Sequence, residues 1–171
     1  CSKDGRIIVS EVEKIVRENI EKGKVFLGFN LCGGSTVEFD MDPIKEIYDL
    51  REKLIEDYSL EYKPIIHVDS VVGWIWLFYN GYDFETNSLG ISNLILDKIN
   101  LMHSYISEIK YADSCGMDFH KTGYAPYISS IIMFHNKEDF YYLGDKEQVV
   151  DVERLQYGGY APFEQTLELT R

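Results

Sequence analysis

Helix-period segments and short apolar runs alternate along this chain, and that alternation constrains its fold more than any other feature. Val12, Ile15, Val16 and Ile20 recur at helical spacing. Ser10 stands ahead of them as an expected N-cap with Glu13 reaching back, and Gly23 closes the segment. Residues 25–31 form an apolar run of strand length, which Gly33 and Gly34 break. Asp42 and Pro43 open a second helix as N-cap and first residue, with Ile44, Ile47, Leu50 and Leu54 as its buried stripe. Pro64 introduces a strand over 65–69. Leu94, Ile95, Ile99, Met102 and Ile106 mark a third helix, and residues 114–119 and 128–134 read as two more strands. This order predicts an α/β fold with a mostly parallel sheet and flanking helices. The near-continuous apolar strands predict helices on both faces of that sheet.

At 171 residues the chain is sized for one domain, and no repeat, low-complexity tract or linker divides it. Twenty-nine acidic against 17 basic residues give a net charge of −12, which repels phosphate backbones and anionic lipid. No nucleic acid and no membrane is therefore expected as a partner. No apolar run reaches the roughly 18 residues of a membrane span; the run at 71–79 is strand-sized and carries Trp74 and Trp76. Cys1, Cys32 and Cys115 are odd in number and widely spaced, which favours a reducing, cytoplasmic setting, with Cys32 and Cys115 as core or near-core thiols. His103 and His135 have no ligand-type neighbour at metal spacing, so no metal site is expected.

In open parallel sheets, ligands sit beyond the carboxyl ends of the strands. Three polar clusters fall at such places: Gly33-Gly34-Ser35-Thr36, His67-Val68-Asp69-Ser70 and Asp118-Phe119-His120-Lys121. Strand alternation puts His67 and Asp69 on one face, where the imidazole could support the carboxylate. A lysine drawn into a cleft can serve as a Schiff-base amine. Each cluster alone also reads as an ordinary turn, cap or solvated loop. Their joint occurrence at the ends of one sheet is what carries weight.

The His67-Val68-Asp69 strand end, taken with the run from Ala112 through Asp118-Phe119-His120-Lys121 to Tyr127, resembles the pyridoxal-phosphate (PLP) dependent group II amino-acid decarboxylases. That family includes the glutamate, tyrosine and aromatic amino-acid decarboxylases, and Lys121-Thr122-Gly123-Tyr124-Ala125-Pro126-Tyr127 is most similar to its tyrosine branch. Gly34-Ser35-Thr36 through Asp42-Pro43-Ile44 resembles an upstream family segment, and Thr166 to Arg171 resembles a downstream one. The resemblance implies the large domain of the aminotransferase-like fold (fold type I). It implies decarboxylation of an L-amino acid, tyrosine or another aromatic or acidic one, to an amine and carbon dioxide. Lys121 would hold PLP through its ε-amine, and Asp69 would face the pyridine nitrogen and keep it protonated. His67 would orient Asp69. Ser35 and Thr36 would lie near the ring or the substrate carboxylate, Val71 against a ring face, and His120 and Asp118 near the phosphate or the Lys121 linkage.

Several positions depart from the family pattern. Val71 replaces a usual Ala, Phe119 a usual Pro, Thr122 a usual bulky residue and Phe39 a usual Gly. The family pattern also implies that residues 1–171 are the lysine-bearing half of a large domain, without the N-terminal phosphate-binding segment and the C-terminal small domain. Such a half-domain is expected to be inactive alone and to form a homodimer or associate with a complementary segment. Two other readings stay open. The chain could be a catalytically degenerate homologue acting as a subunit or scaffold. It could also be an N-terminal-nucleophile hydrolase that uses the Cys1 thiol, activated by its own amine.

Overall fold

The computed structural model describes residues 5–140; Cys1 and the segment 166–171, to which two expectations attach, lie outside them. The order is α1 (Val9–Glu21), β1 (Gly28–Cys32), α2 (Ile44–Tyr58), β2 (Ile65–Asp69), a 3-10 helix (Gly73–Tyr79), α3 (Asn93–Ile106), a 3-10 turn (Ser107–Tyr111), β3 (Ser114–Asp118), α4 (Phe119–Thr122), β4 (Ser130–Phe134) and α5 (Lys137–Phe140). The strands lie side by side in the order β1-β2-β3-β4. β1 pairs parallel with β2, Cys32 opposite Asp69, and β2 pairs parallel with β3, Asp69 opposite Gly116. The chain divides after residue 132 into two units, and every residue of the candidate site lies in the first.

The core sits on one face of this sheet. Leu31, Ile66, Val68, Cys115 and Met117 point to it and pack with Ile44, Ile47, Leu50 and Leu54 of α2 and Val16 of α1. Alternation sends Asn30, His67, Asp69, Gly116 and Asp118 to the other face, where they range from half-buried to exposed. Among the described residues this departs from the expectation of two covered faces: the short strands alternate, with polar residues on the face that carries the candidate site.

The sequence signals for helix ends were answered differently. α1 starts at Val9 with Ile8 at its N-cap and no side-chain cap, and Glu13 instead pairs with Arg17 and Lys53. Pro43, not Asp42, holds the N-cap of α2. The buried Asp42 carboxylate accepts the Ile7 N–H at 2.9 Å and the Cys32 N–H at 2.8 Å, clasping the end of β1 to the N-terminal segment. β1 begins at Gly28 rather than residue 25: its pairing with β2 opens at Gly28 opposite Ile65, whose N–H donates to Leu27 O. Val25 and Leu27 are accordingly 68% and 76% exposed. The run at 71–79 folds as a 3-10 helix over most of its length.

A buried charge cluster fixes the amino edge of the sheet. Arg51 of α2 is 1% exposed and pairs with Asp113, the residue before β3, at 2.5 Å. Asp113 also accepts Lys63 Nζ at 2.5 Å and the backbone N–H of Ile66 in β2 at 2.8 Å. Burial alone would raise the Asp113 carboxyl, but the bonds from Lys63 and Ile66 and the charge of Arg51 outweigh it and hold it below the usual range. Arg51→Met is expected to destabilise the fold by about 1–3 kcal/mol in urea unfolding, because it removes one of the two cations on the Asp113 carboxylate and leaves Lys63 as the other. A depressed carboxylate contributes stability that is full above its unfolded value near 4 and lost as pH falls through its folded value. Asp113→Asn should therefore flatten the acid limb of the stability–pH curve.

Candidate active site

Because β1, β2 and β3 run parallel, Cys32, Asp69 and Asp118 end at one edge of the sheet. Hydrogen bonds stitch the segments that follow. Gly33 N–H donates to Asp69 O at 2.8 Å, and the Ser70 N–H and hydroxyl both reach Gly116 O, at 3.0 and 2.7 Å. The Trp74 indole donates to Asp118 O at 3.0 Å, and the Thr122 hydroxyl donates to Val72 O at 3.1 Å. Gly34, at φ +134°, lies so close to Gly73 that a Cβ on it would fall 2.5 Å from the Gly73 Cα. Glycine is required there by both backbone conformation and space. The 33–36 loop is thus pressed against the segment that follows Asp69.

An open hollow of about 420 Å³ lies at this edge, lined by Asn30, Leu31, Cys32, Gly34, Ser35, Thr36, Asp69 and Val71. Four residues expected from sequence therefore share one wall: Ser35, Thr36, Asp69 and Val71. The Val71 N–H donates to Asp69 Oδ1 at 3.2 Å, and the Ser35 hydroxyl accepts the Asp40 N–H at 3.2 Å. Asn30 and Cys32 join them without having been expected. The signal was the alternation of β1 set in register with Asp69, which needs the pairing and not the sequence alone. Cys32 is half-buried, and burial pushes its thiol above the usual range. Cys115 is a core thiol as expected.

His67 shares the face of Asp69, but its Nδ1 hydrogen-bonds the Ser114 hydroxyl of β3 at 2.8 Å. Its link to Asp69 is electrostatic: burial pulls the imidazole down, and the Asp69 charge opposes this.

Lys121, His120 and Asp118 form a second group at the end of β3. Lys121 Nζ lies 2.8 Å from Asp118 Oδ2, and His120 Nε2 lies 3.8 Å from the same oxygen. The Ser129 N–H donates to His120 Nδ1 at 3.2 Å, and Tyr127 meets the ring edge-on at 4.7 Å. Burial would raise the Asp118 carboxyl, yet its bonds to Lys121 and Ser130 and the Lys121 and His120 charges draw it down. Tyr124, the other tyrosine near Lys121, is fully exposed. No group of His, Cys, Asp and Glu among the described residues could hold a metal ion.

The departures from the family pattern are built into the structure. The Phe119 N–H donates to Ser129 O at 2.8 Å, a bond no proline could make, and its ring meets Trp74 at 4.8 Å. Phe39 adopts φ +58°, the left-handed conformation natural to the glycine it replaces. Its ring meets Trp76 at 5.9 Å and helps to line an apolar cleft of about 510 Å³ with Ile75, Phe78, Tyr79, Tyr82, Leu89 and Thr122. Phe39→Ala keeps the strained backbone and loses the ring, whereas Phe39→Gly loses the ring and relieves the strain. The glycine variant is expected to be the more stable of the two by about 1 kcal/mol in urea unfolding; equal stabilities would show that the position stores no strain.

No protein-family model matches the chain. It is 28% identical over 147 residues to an L-tyrosine decarboxylase of Enterococcus faecium, and 28% identical over 143 residues to one of Enterococcus faecalis. These alignments cover 79% and 77% of this chain and 23% of each relative. Among solved structures, mouse CSAD in its apo form superposes with a TM-score of 0.55 at 21% identity, covering 81% of this chain and 23% of that one. The glutamate decarboxylase domain of a diaminobutyrate-pyruvate transaminase and L-2,4-diaminobutyrate decarboxylase from Vibrio parahaemolyticus gives a TM-score of 0.59 at 17% identity, covering 84% and 25%. These structures share the fold. Among the described residues, no helix is long and apolar enough to cross a membrane. The chain is homologous to the PLP-dependent group II amino-acid decarboxylases and spans about a quarter of the length of the curated relatives it matches.

Proposed function

We propose that the chain is the lysine-bearing part of a PLP-dependent decarboxylase acting on an L-amino acid with an aromatic side chain. The observation that carries this reading is the arrival of Asp69 and the Lys121 segment at one edge of adjacent parallel strands, stitched by Ser70, Trp74 and Thr122. The residues present suit PLP. A hollow bounded by a carboxylate, hydroxyls and a glycine close-packed against its neighbour adjoins a strand end that supplies a primary amine. Bound there, PLP supplies an electron sink for the pair left when carbon dioxide departs.

The chain's own groups have separate tasks. The Lys121 ε-amine is the only group of the Asp118-Phe119-His120-Lys121 cluster that can bond a carbonyl carbon as a primary amine. The Asp69 carboxylate, at the hollow's wall, would favour a proton on a ring nitrogen by charge attraction. His67 sits behind it and braces β2 to β3 through Ser114. Ser35 and Thr36 offer hydroxyls, Val71 an apolar surface beside Asp69, and His120 its Nε2. The aromatic preference is supported by the cleft lined by Phe39, Trp76, Phe78 and Thr122, the last adjoining Lys121, and by the printed activity of the tyrosine decarboxylases that the chain matches. The complete site forms by association with a second copy or a complementary segment, as the exposed Phe78, Leu89, Leu94 and Ile95 suggest.

In the complete enzyme, Lys121→Ala should abolish the borohydride-stable PLP adduct. Asp69→Asn should keep the adduct yet slow carbon dioxide release at least about a hundredfold, on the order of 3 kcal/mol of transition-state stabilisation. Undiminished turnover in Asp69→Asn would overturn its role, and an acidic amino acid outperforming tyrosine would overturn the aromatic preference.

A further inference from the structure

We propose that Asp118 is a positioning residue that clamps the Lys121 ammonium group at the carboxyl edge of β3. The inference rests on reading Lys121 as the anchor for PLP, and it assigns how the amine is held before it is used. Asp118 occupies the N-cap position of α4, yet its side chain makes no cap bond to that helix. It turns instead to Lys121, 2.8 Å away, three residues on. The two partners differ in setting: the Asp118 side chain is 16% exposed, the Lys121 side chain 45%. The carboxylate is therefore the fixed member and the lysine the movable one. Trp74 holds the Asp118 backbone carbonyl, and Ser130 contributes a further bond to its carboxylate.

The charged and titratable groups facing this carboxylate are Lys121 and His120, both on α4. A lysine ammonium must shed a proton before its nitrogen can attack a carbonyl. An ion pair opposes that loss, so the clamp trades reactivity for placement. Its exposed partner makes the trade a modest one, open to screening by salt.

The test uses the full chain without PLP, so that the clamp and the anchor role are judged separately. Limited reductive methylation with formaldehyde and cyanoborohydride at one fixed pH is mapped by mass spectrometry. Lys98, exposed on α3, serves as internal reference. Asp118→Asn, which releases the ammonium from its 2.8 Å partner, should raise Lys121 methylation relative to Lys98 by about two- to fivefold. Asp118→Glu, which restores the charge, should return the ratio towards the wild type. In the wild-type chain, added salt at about 0.5 M should raise the ratio in the same direction. A ratio indifferent to both substitution and salt would overturn the clamp, whether or not Lys121 proves to carry PLP.

Discussion

The buried Arg51–Asp113 pair is the constraint on which the rest of the arrangement depends. One carboxylate gathers a guanidinium from α2, an ammonium from the turn before β2, and a backbone N–H from β2 itself. Asp113 immediately precedes β3, so the pair ties α2, β2 and β3 together at one point. Two charges taken out of water gain little net stability, but once buried neither can be left alone. The same Asp113 exchanges bonds with Ile66, its N–H donating to Ile66 O and its carboxylate accepting the Ile66 N–H, and so sets β3 beside β2 in one register. The register then decides what meets at the far end, where Asp69 stands opposite Gly116 and two residues short of Asp118. The charge cluster holds the amino edge, and the candidate site lies at the carboxyl edge.

That division explains which parts of the molecule were legible in the sequence. The strand 65–69 was bounded correctly because Pro64 starts it and the polar Asp69-Ser70 pair ends it. The third helix was placed within a residue by its apolar period. The helix starts were misread because Ser10 and Asp42 are good caps by type, while Asp42 has a stronger demand elsewhere, the two N–H groups of Ile7 and Cys32. Local propensity yields to such tertiary partners. The one-sided sheet could have been read from His67 and Asp69, which alternate with Ile66 and Val68, but the strands are too short for alternation to stand out from continuous apolarity.

The site was legible in residue type and illegible in its contacts. Asp69, Ser35, Thr36 and Val71 share one hollow, whereas Lys121 faces Asp118 and His67 faces Ser114. Side-chain partners across strands follow from register, which no single-sequence pattern prints. The departures from the family pattern are equally instructive. Phe39 retains the left-handed backbone of a glycine, and Phe119 gains a hydrogen bond that a proline would lack. The backbone path around the site is kept while the side chains that pack it have changed, and the changes favour aromatic surface beside Lys121.

The proposed place for PLP is the carboxyl edge, and peptide mapping of the borohydride-reduced PLP complex tests this most directly. Three lysines among the described residues separate the outcomes. Lys63 pairs with Asp113 at the amino edge, Lys110 lies in the 3-10 turn leading to that edge, and Lys121 follows β3 at the carboxyl edge. The account predicts a single pyridoxyl label on Lys121. A label on Lys63 or Lys110, with Lys121 unmodified, would contradict it.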